Sequence, residues 1–310
     1  MKILMITSEA VPYAKTGGLA DMVSALSISL AKLGHDVRIV IPRYYSIDKD
    51  SLTLIPGAMG TPMGGGIEEW SAIYTIDMPV TSGEPKRRSS QGKTKKNSVK
   101  VYFIDHEIFF GRDGIYGSPS EPDFIDNPRR FVYFCRASFQ LCRKIGWYPD
   151  IMHAHDWPSA IAPVYLKFAE RFPGSKSEFK KTVSVLTIHN LGYQGIYNKD
   201  NFDYAGLGWD VFYYAGFEDF SMMNMLKAGL YSADKLNTVS PNYAEETKTQ
   251  EHGFRLDGVL RYRSADYCGI LNGIDTDVWN PANDSLIPKT YSKDDLSGKA
   301  KANLKKLFPC

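Results

Sequence analysis

Lys2-Ile3-Leu4-Met5-Ile6-Thr7 and, after a short gap, Lys15-Thr16-Gly17-Gly18-Leu19-Ala20-Asp21 decide how the fold begins. The first run is apolar almost throughout, as a parallel strand buried on both faces requires. Residues 20–33 then repeat apolar side chains at helical spacing, with Gly34 where a helix C-terminus favours glycine. Residues 37–41 form a second apolar run, stopped by Pro42. Strand, helix and strand in this order predict an α/β fold with a doubly wound, mostly parallel, Rossmann-like sheet. The turn before the helix sets a cation, two residues without side chains and a carboxylate side by side. Glycines let a ligand approach the backbone, and the free N–H groups of a helix start attract anions. The spacing matches neither G-x-G-x-x-G nor G-x-x-x-x-G-K-[ST], so the dinucleotide and P-loop readings do not apply. A glycine turn with Asp21 complementing the helix dipole is the plainer alternative.

The alternation continues along the chain. Helical patterns cover residues 129–145, 158–171, 222–231 and 241–247; strand patterns cover 151–154, 182–188, 235–239 and 267–271. Residues 51–104 differ. Strand-like 72–76 and 99–104 there predict an antiparallel excursion from the main sheet. Between them, residues 83–98 are rich in lysine and arginine and carry no aromatic or large apolar side chain, which predicts a solvated loop. The 310 residues, 43% hydrophobic and 23% charged, suit an ordinary globular protein with ample core. A net charge of +2 argues for neither a nucleic-acid nor a membrane partner. No transmembrane run or signal peptide is apparent. Cys135 and Cys142, seven residues apart on one helix, lie about 10 Å apart along its axis, too far to bridge. With Cys268 and Cys310 they read as free thiols of a reducing cytoplasm.

Two strand ends carry chemistry. His153-Ala-His155-Asp156 places two imidazoles and a carboxylate at the sheet edge where open α/β folds bind ligands. A metal site lacks a third or fourth ligand at suitable spacing, and histidines satisfied inside a packed strand end are the alternative. Thr187-Ile-His189-Asn190 ends a second strand in the same way. Asn272-Gly273 reads by itself as a turn. Tyr193 and Gln194 in a glycine-flanked loop, and Tyr102 near another strand end, are residues that contact a small ligand from such loops, or simply pack.

Together these segments resemble the bacterial glycogen synthase and plant starch synthase family. Lys15–Asp21 matches its K-T-G-G-L-x-D signature. Tyr102-Phe-Ile-Asp-His106, His153-Ala-His-Asp-Trp157, Thr187-Ile-His-Asn-Leu-Gly-Tyr-Gln-Gly195, Ala233-Asp-Lys-Leu-Asn-Thr-Val-Ser-Pro241, Gly269-Ile-Leu-Asn-Gly-Ile-Asp275 and Trp279-Asn-Pro281 follow in order. The resemblance implies the N-terminal half of a two-domain GT-B glycosyltransferase: residues 1–272 as the glucan and donor-sugar domain, residues 273–310 as hinge and linker toward a C-terminal nucleotide-binding domain that is absent here. It implies retaining transfer of glucose from ADP-glucose, or UDP-glucose, to the non-reducing end of an α-1,4-glucan, with no metal or other cofactor. It also implies that Asp21, Asp156, His189 and Asn272 line the reacting sugar, and that Lys15, Gly17, Gly18, Tyr102, Tyr193 and Gln194 bind substrate. Pro158 departs from the family, which often has histidine there. Half a cleft predicts an inactive chain, so a non-catalytic glucan-binding domain is one alternative and a different GT-B transferase another.

Overall fold

The computed structural model describes residues 1–80, 98–287 and 289–294. They fall into two compact units, Met1–Leu271 and Asn272–Cys310. The basic stretch 83–98 lies outside the described residues except for Ser98, as does Cys310.

In the first unit the chain runs through β1 (Lys2–Ile6), α1 (Gly18–Lys32), β2 (Asp36–Pro42), β3 (Thr53–Pro62), β4 (Glu68–Pro79), β5 (Ser98–Asp105), α2 (Glu107–Phe110) and α3 (Asn127–Ile145). It continues with β6 (Ile151–His155), α4 (Asp156–Ser159), α5 (Ile161–Tyr165), β7 (Val183–Ile188), β8 (Ile196–Asn198), α6 (Trp209–Tyr214), β9 (Glu218–Asp219) and β10 (Met222–Asn224). α7 (Met225–Ser232), β11 (Lys235–Thr238), α8 (Pro241–Glu246), α9 (Asp257–Tyr262) and β12 (Tyr267–Gly269) complete it. Among the described residues one nine-stranded sheet has the order β12-β11-β7-β6-β1-β2-β5-β4-β3. It is parallel from β12 through β5. The order reverses at β1, so loops leaving β1, β6 and β7 converge on one sheet edge.

The antiparallel segment expected at 51–104 is not an excursion from this sheet. It is the sheet's own edge: β5 pairs parallel with β2, and β4 and β3 follow antiparallel. Two other expectations are corrected in detail. The helix expected over 158–171 is interrupted at Ala160 and relaxes into a wider turn at Leu166–Glu170. Pro163 lacks the N–H that would bond back to Ser159, and its ring crowds that carbonyl. The helix expected from Met222 starts only at Met225. Met222–Asn224 pairs with β8 and β9 in a small second sheet, and the Asn224 side chain caps α7 by accepting from Lys227 N at 2.9 Å.

The core follows from the apolar runs. Ile3 through Ile6 are buried on both faces, as are Ile39 to Ile41 and Val101 to Ile104. α3 brings Phe131, Phe134 and Phe139 inside and ends at Gly146, whose φ of +60° lets Trp147 N reach Cys142 O at 3.0 Å. Cys135 and Cys142 are free thiols on this helix, and burial pushes both up to about 12. No helix among the described residues is long and apolar enough to cross a membrane.

In the second unit Asp275 makes a turn, accepting from Asp277 N at 3.0 Å and Val278 N at 3.2 Å, while Trp279 is 65% exposed.

α7 is locked to the site-bearing elements by close approach. A Cβ on Gly229 would stand 2.6 Å from Ala160 O and 2.7 Å from Ala160 Cβ. Gly229→Val should therefore destabilise the chain by roughly 1–3 kcal/mol, lowering Tm by several degrees. An unchanged melting curve would show that α7 does not seat where we find it.

Candidate functional site

The loop after β1 is built around a carboxylate that the sequence pattern does not single out. Glu9 is buried, and it accepts from Thr16 N at 2.6 Å, Thr16 Oγ1 at 2.7 Å, Gly17 N at 3.2 Å and the Tyr116 hydroxyl at 2.7 Å. This folds the loop back so that Gly17 becomes the N-cap of α1, with no side chain closing the helix start. Lys15 and Asp21 face each other across the turn at 2.7 Å, both about half exposed. Such a pair is worth little in water and is easily exchanged for a stronger partner. A Cβ on Gly17 or Gly18 would meet nothing within 4 Å, and neither residue lies in the left-handed region. The fold itself does not require glycine at either place.

β6 gives way at once to a strained residue, the first of α4. Asp156 has φ +54°, a conformation a non-glycine residue adopts rarely and usually where function holds it. The strain aims its carboxylate at the end of β7, where Oδ1 accepts from His189 N at 2.7 Å and Asn190 N at 3.5 Å. Burial lifts the Asp156 carboxyl to about 7; the two amides act in the opposite sense, and the charge on Glu9 adds to the rise. Glu9 is also felt at His189, where burial pushes the imidazole down to about 4 and Glu9 partly counters it. The loops after β1, β6 and β7 thus share one electrostatic environment.

Behind Asp156 lies a row of imidazoles. Thr187 Oγ1 donates to Asn237 Oδ1 at 2.7 Å, so His153 Nε2, also 2.7 Å from Thr187 Oγ1, is the donor of that pair. The His153 and His155 rings lie with centroids 4.2 Å apart, tilted by 32°, and His155 Nδ1 lies 3.3 Å from His189 Nε2. Burial pushes His153 to about 3 and His155 well below its ordinary range. All three are neutral at pH 7. Among the described residues no group of three or more His, Cys, Asp or Glu side chains is arranged to hold a metal ion.

The remaining sequence candidates separate. Tyr193 is 68% exposed in the loop after β7, within reach of solvent ligands. Gln194 is turned inward at 7% exposure: its Nε2 donates to Phe254 O at 2.9 Å and its Oε1 accepts from Asn224 at 2.7 Å. It fastens the loop to α7. Gly195 next to it is sterically obligatory, since a Cβ would lie 2.5 Å from the Trp157 ring. Tyr102 is 3% exposed, and its hydroxyl accepts from Arg38 at 2.9 Å, so the structure does not bring it to the cluster. Asn272 opens the second unit.

The histidines make folding sensitive to acid. Below about 6.5 an unfolded histidine takes up a proton that His153 and His189 refuse until about 3 and 4, so stability falls as pH drops through that window. Asp156 works the other way: the folded state holds its proton where the unfolded carboxyl, near 3.8, has lost it. Three imidazoles outweigh one carboxyl. The urea midpoint should be lower at pH 5 than at pH 7, and His153→Asn should shrink the difference; equal midpoints for the unaltered chain would contradict this.

The sequence model of one family, described as Starch synthase catalytic domain, matches residues 2–262. Glycogen synthase of Treponema denticola is 53% identical over 301 residues, covering 97% of this chain and 57% of that protein. Glycogen synthase 1 of Geobacter metallireducens is 41% identical over 315 residues, covering 99% and 58% respectively. Among solved structures, the catalytic domain of Starch Synthase IV from Arabidopsis thaliana, bound to ADP and acarbose, aligns with a TM-score of 0.77 at 29% identity, covering 98% of this chain and 58% of that one. The chain therefore spans somewhat over half the length of the proteins it matches.

Proposed function

The chain belongs to the starch synthase catalytic-domain family, and from that premise we propose that the whole protein transfers glucose, with retention, from a nucleotide-glucose to the non-reducing end of an α-1,4-glucan. ADP-glucose is the donor in our reading, because the matched plant structure is described as bound to ADP. The observation that carries the proposal is the Gly17-Gly18 pair. Neither glycine is demanded by backbone conformation or by internal crowding, so what they spare is room for something outside the fold. They spare it at the uncapped start of α1, beside Lys15. Phosphate oxygens of a nucleotide sugar suit that place: amide N–H groups and a lysine can receive them, and the Lys15–Asp21 pair can open to do so.

The sugar then sits between this loop and the strand ends carrying Asp156 and His189. His189 offers a neutral imidazole as donor to a sugar hydroxyl, and its carbonyl can face the anomeric carbon. Asp156 contributes by fixing the His189 backbone. Tyr193, exposed in the loop after β7, offers an apolar face to the glucan. The reaction calls for charge stabilisation without a carboxylate nucleophile, by front-face displacement rather than the two-carboxylate route of hydrolases. The matched relatives are longer than the shared stretch, and we place the rest of the nucleotide site in that additional length. Residues 1–310 alone should bind glucan but incorporate little labelled glucose; robust polymer synthesis by them would refute the division. The free, buried thiols fit a cytoplasmic setting.

Two sets of variants test the reading, in a chain extended to the relatives' length. Gly17→Ala and Gly18→Ala should leave stability within about 0.5 kcal/mol of the original, since nothing in the fold meets the added methyl. Both should raise KM for the nucleotide sugar at least several-fold; unchanged kinetics would remove the central support. His189→Ala should lower kcat by a factor on the order of 10² to 10³, as loss of a donor aimed at the reacting sugar does. A lowered Tm with near-normal kcat would assign His189 to structure instead.

A further inference from the structure

Of the three imidazoles, His155 has no role in the reading above. It is fully buried, and its Nε2 has no hydrogen-bond partner at all among the described residues. Its Nδ1 faces His189 Nε2 at 3.3 Å. One proton must lie between those two nitrogens, and there are two ways to place it. If His189 Nε2 donates, His155 must carry its own proton on Nε2, which buries an N–H with no acceptor. If His155 Nδ1 donates, the orphan atom is only a lone pair. Orphaned buried N–H groups are rarer and costlier than under-used acceptors.

We propose that His155 is a positioning residue: its Nδ1–H donates to His189 Nε2 and thereby fixes the proton of His189 on Nδ1. In a neutral imidazole the hydrogen bond made by one nitrogen decides which nitrogen carries the proton. His189 Nδ1 has no protein partner among the described residues and is not among the buried atoms left without one, so it opens to solvent. Resting on the glucosyl-transfer reading, this makes Nδ1–H the standing donor to a sugar hydroxyl. A free imidazole in water prefers the opposite form, with the proton on Nε2, so the preference must be imposed. Two further features keep His155 available for the task. His153, packed beside it, is already committed as donor to Thr187. The His189 backbone is held by Asp156, which limits how far the ring can turn away. Burial also keeps both rings of the pair neutral.

The proton's location can be read without any activity. In the ¹⁵N-labelled 310-residue chain near neutral pH, long-range ¹H–¹⁵N correlations distinguish a protonated from an unprotonated ring nitrogen. The His189 signals are assigned by their loss in His189→Gln. The expected pattern is a protonated Nδ1 and an unprotonated Nε2. His155→Asn, whose amide nitrogen can stand in for Nδ1, should keep that pattern. His155→Phe, which has no donor, should release His189 to the Nε2–H form. An Nε2–H form in the unaltered chain overturns the proposal, and so does an Nδ1–H form that persists in folded His155→Phe. Should His155→Phe not fold, the unaltered chain and His155→Asn decide: loss of the Nδ1–H form in folded His155→Asn also overturns it. In the extended enzyme, His155→Asn should retain most of kcat, and His155→Phe should lose tenfold or more of it with KM for the donor little changed. Proton placement as expected with kcat unaffected by His155→Phe would count against the sugar-contact reading of His189, leaving the proton assignment standing.

Discussion

One hydrogen bond organises the candidate site: the Asp156 carboxylate accepting the His189 amide at 2.7 Å. It ties the C-terminal end of β6 to that of β7 across the edge where the sheet order reverses. Asp156 makes this bond from the first position of the short α4, with its backbone at positive φ. Strain at the end of β6 is thus exchanged for a fixed position of His189. A carboxylate used in this way has less freedom to act on substrate itself. On the glucosyl-transfer reading proposed above, its influence on a sugar would pass chiefly through the His189 backbone.

The charges around that bond form a small, mutually dependent set. Glu9 anchors the glycine loop through Thr16 and Gly17, and its field reaches Asp156 and His189. The carboxyl of Asp156 is raised and the imidazoles are depressed for the same reason, removal from water. The site at rest is therefore poor in mobile charge, apart from the exposed Lys15–Asp21 pair. On the reading proposed above, a nucleotide sugar would bring its own negative charge to Lys15 at the turn. A multiply charged phosphate group held by amides as well would bind this cation more strongly than the exposed ion pair does.

Much of this was legible from residue order. The opening strand-turn-helix-strand pattern predicts the parallel sheet, and each of the two histidine-bearing segments reads as the end of a strand; that the two strands are neighbours is shown by the pairing of β6 with β7. Other features could not be read. Glu9 is an isolated acid in a short loop, and only the folded loop shows Thr16, Gly17 and Tyr116 converging on it. Tyr102 and Gln194 lie in motif segments, yet strand pairing turns one inward toward Arg38 and loop packing turns the other toward Phe254. Period counting read 222–231 as one helix because Met222 and Met223 extend its apolar pattern; cross-strand pairing with β8 overrode it. Which nitrogen of His155 donates depends on what surrounds Nε2, a property of burial that no local pattern carries.

The central claim is that the loop after β1 and the ends of β6 and β7 together receive a nucleotide sugar. Backbone amide shifts of the labelled chain, followed during titration with ADP-glucose, test it most directly. The account predicts shifts concentrated at Gly17, Gly18, His189 and Asn190, with Gly17→Ala suppressing them while the rest of the spectrum is unchanged. Saturable shifts confined to other surfaces, with those four amides unmoved, would contradict it.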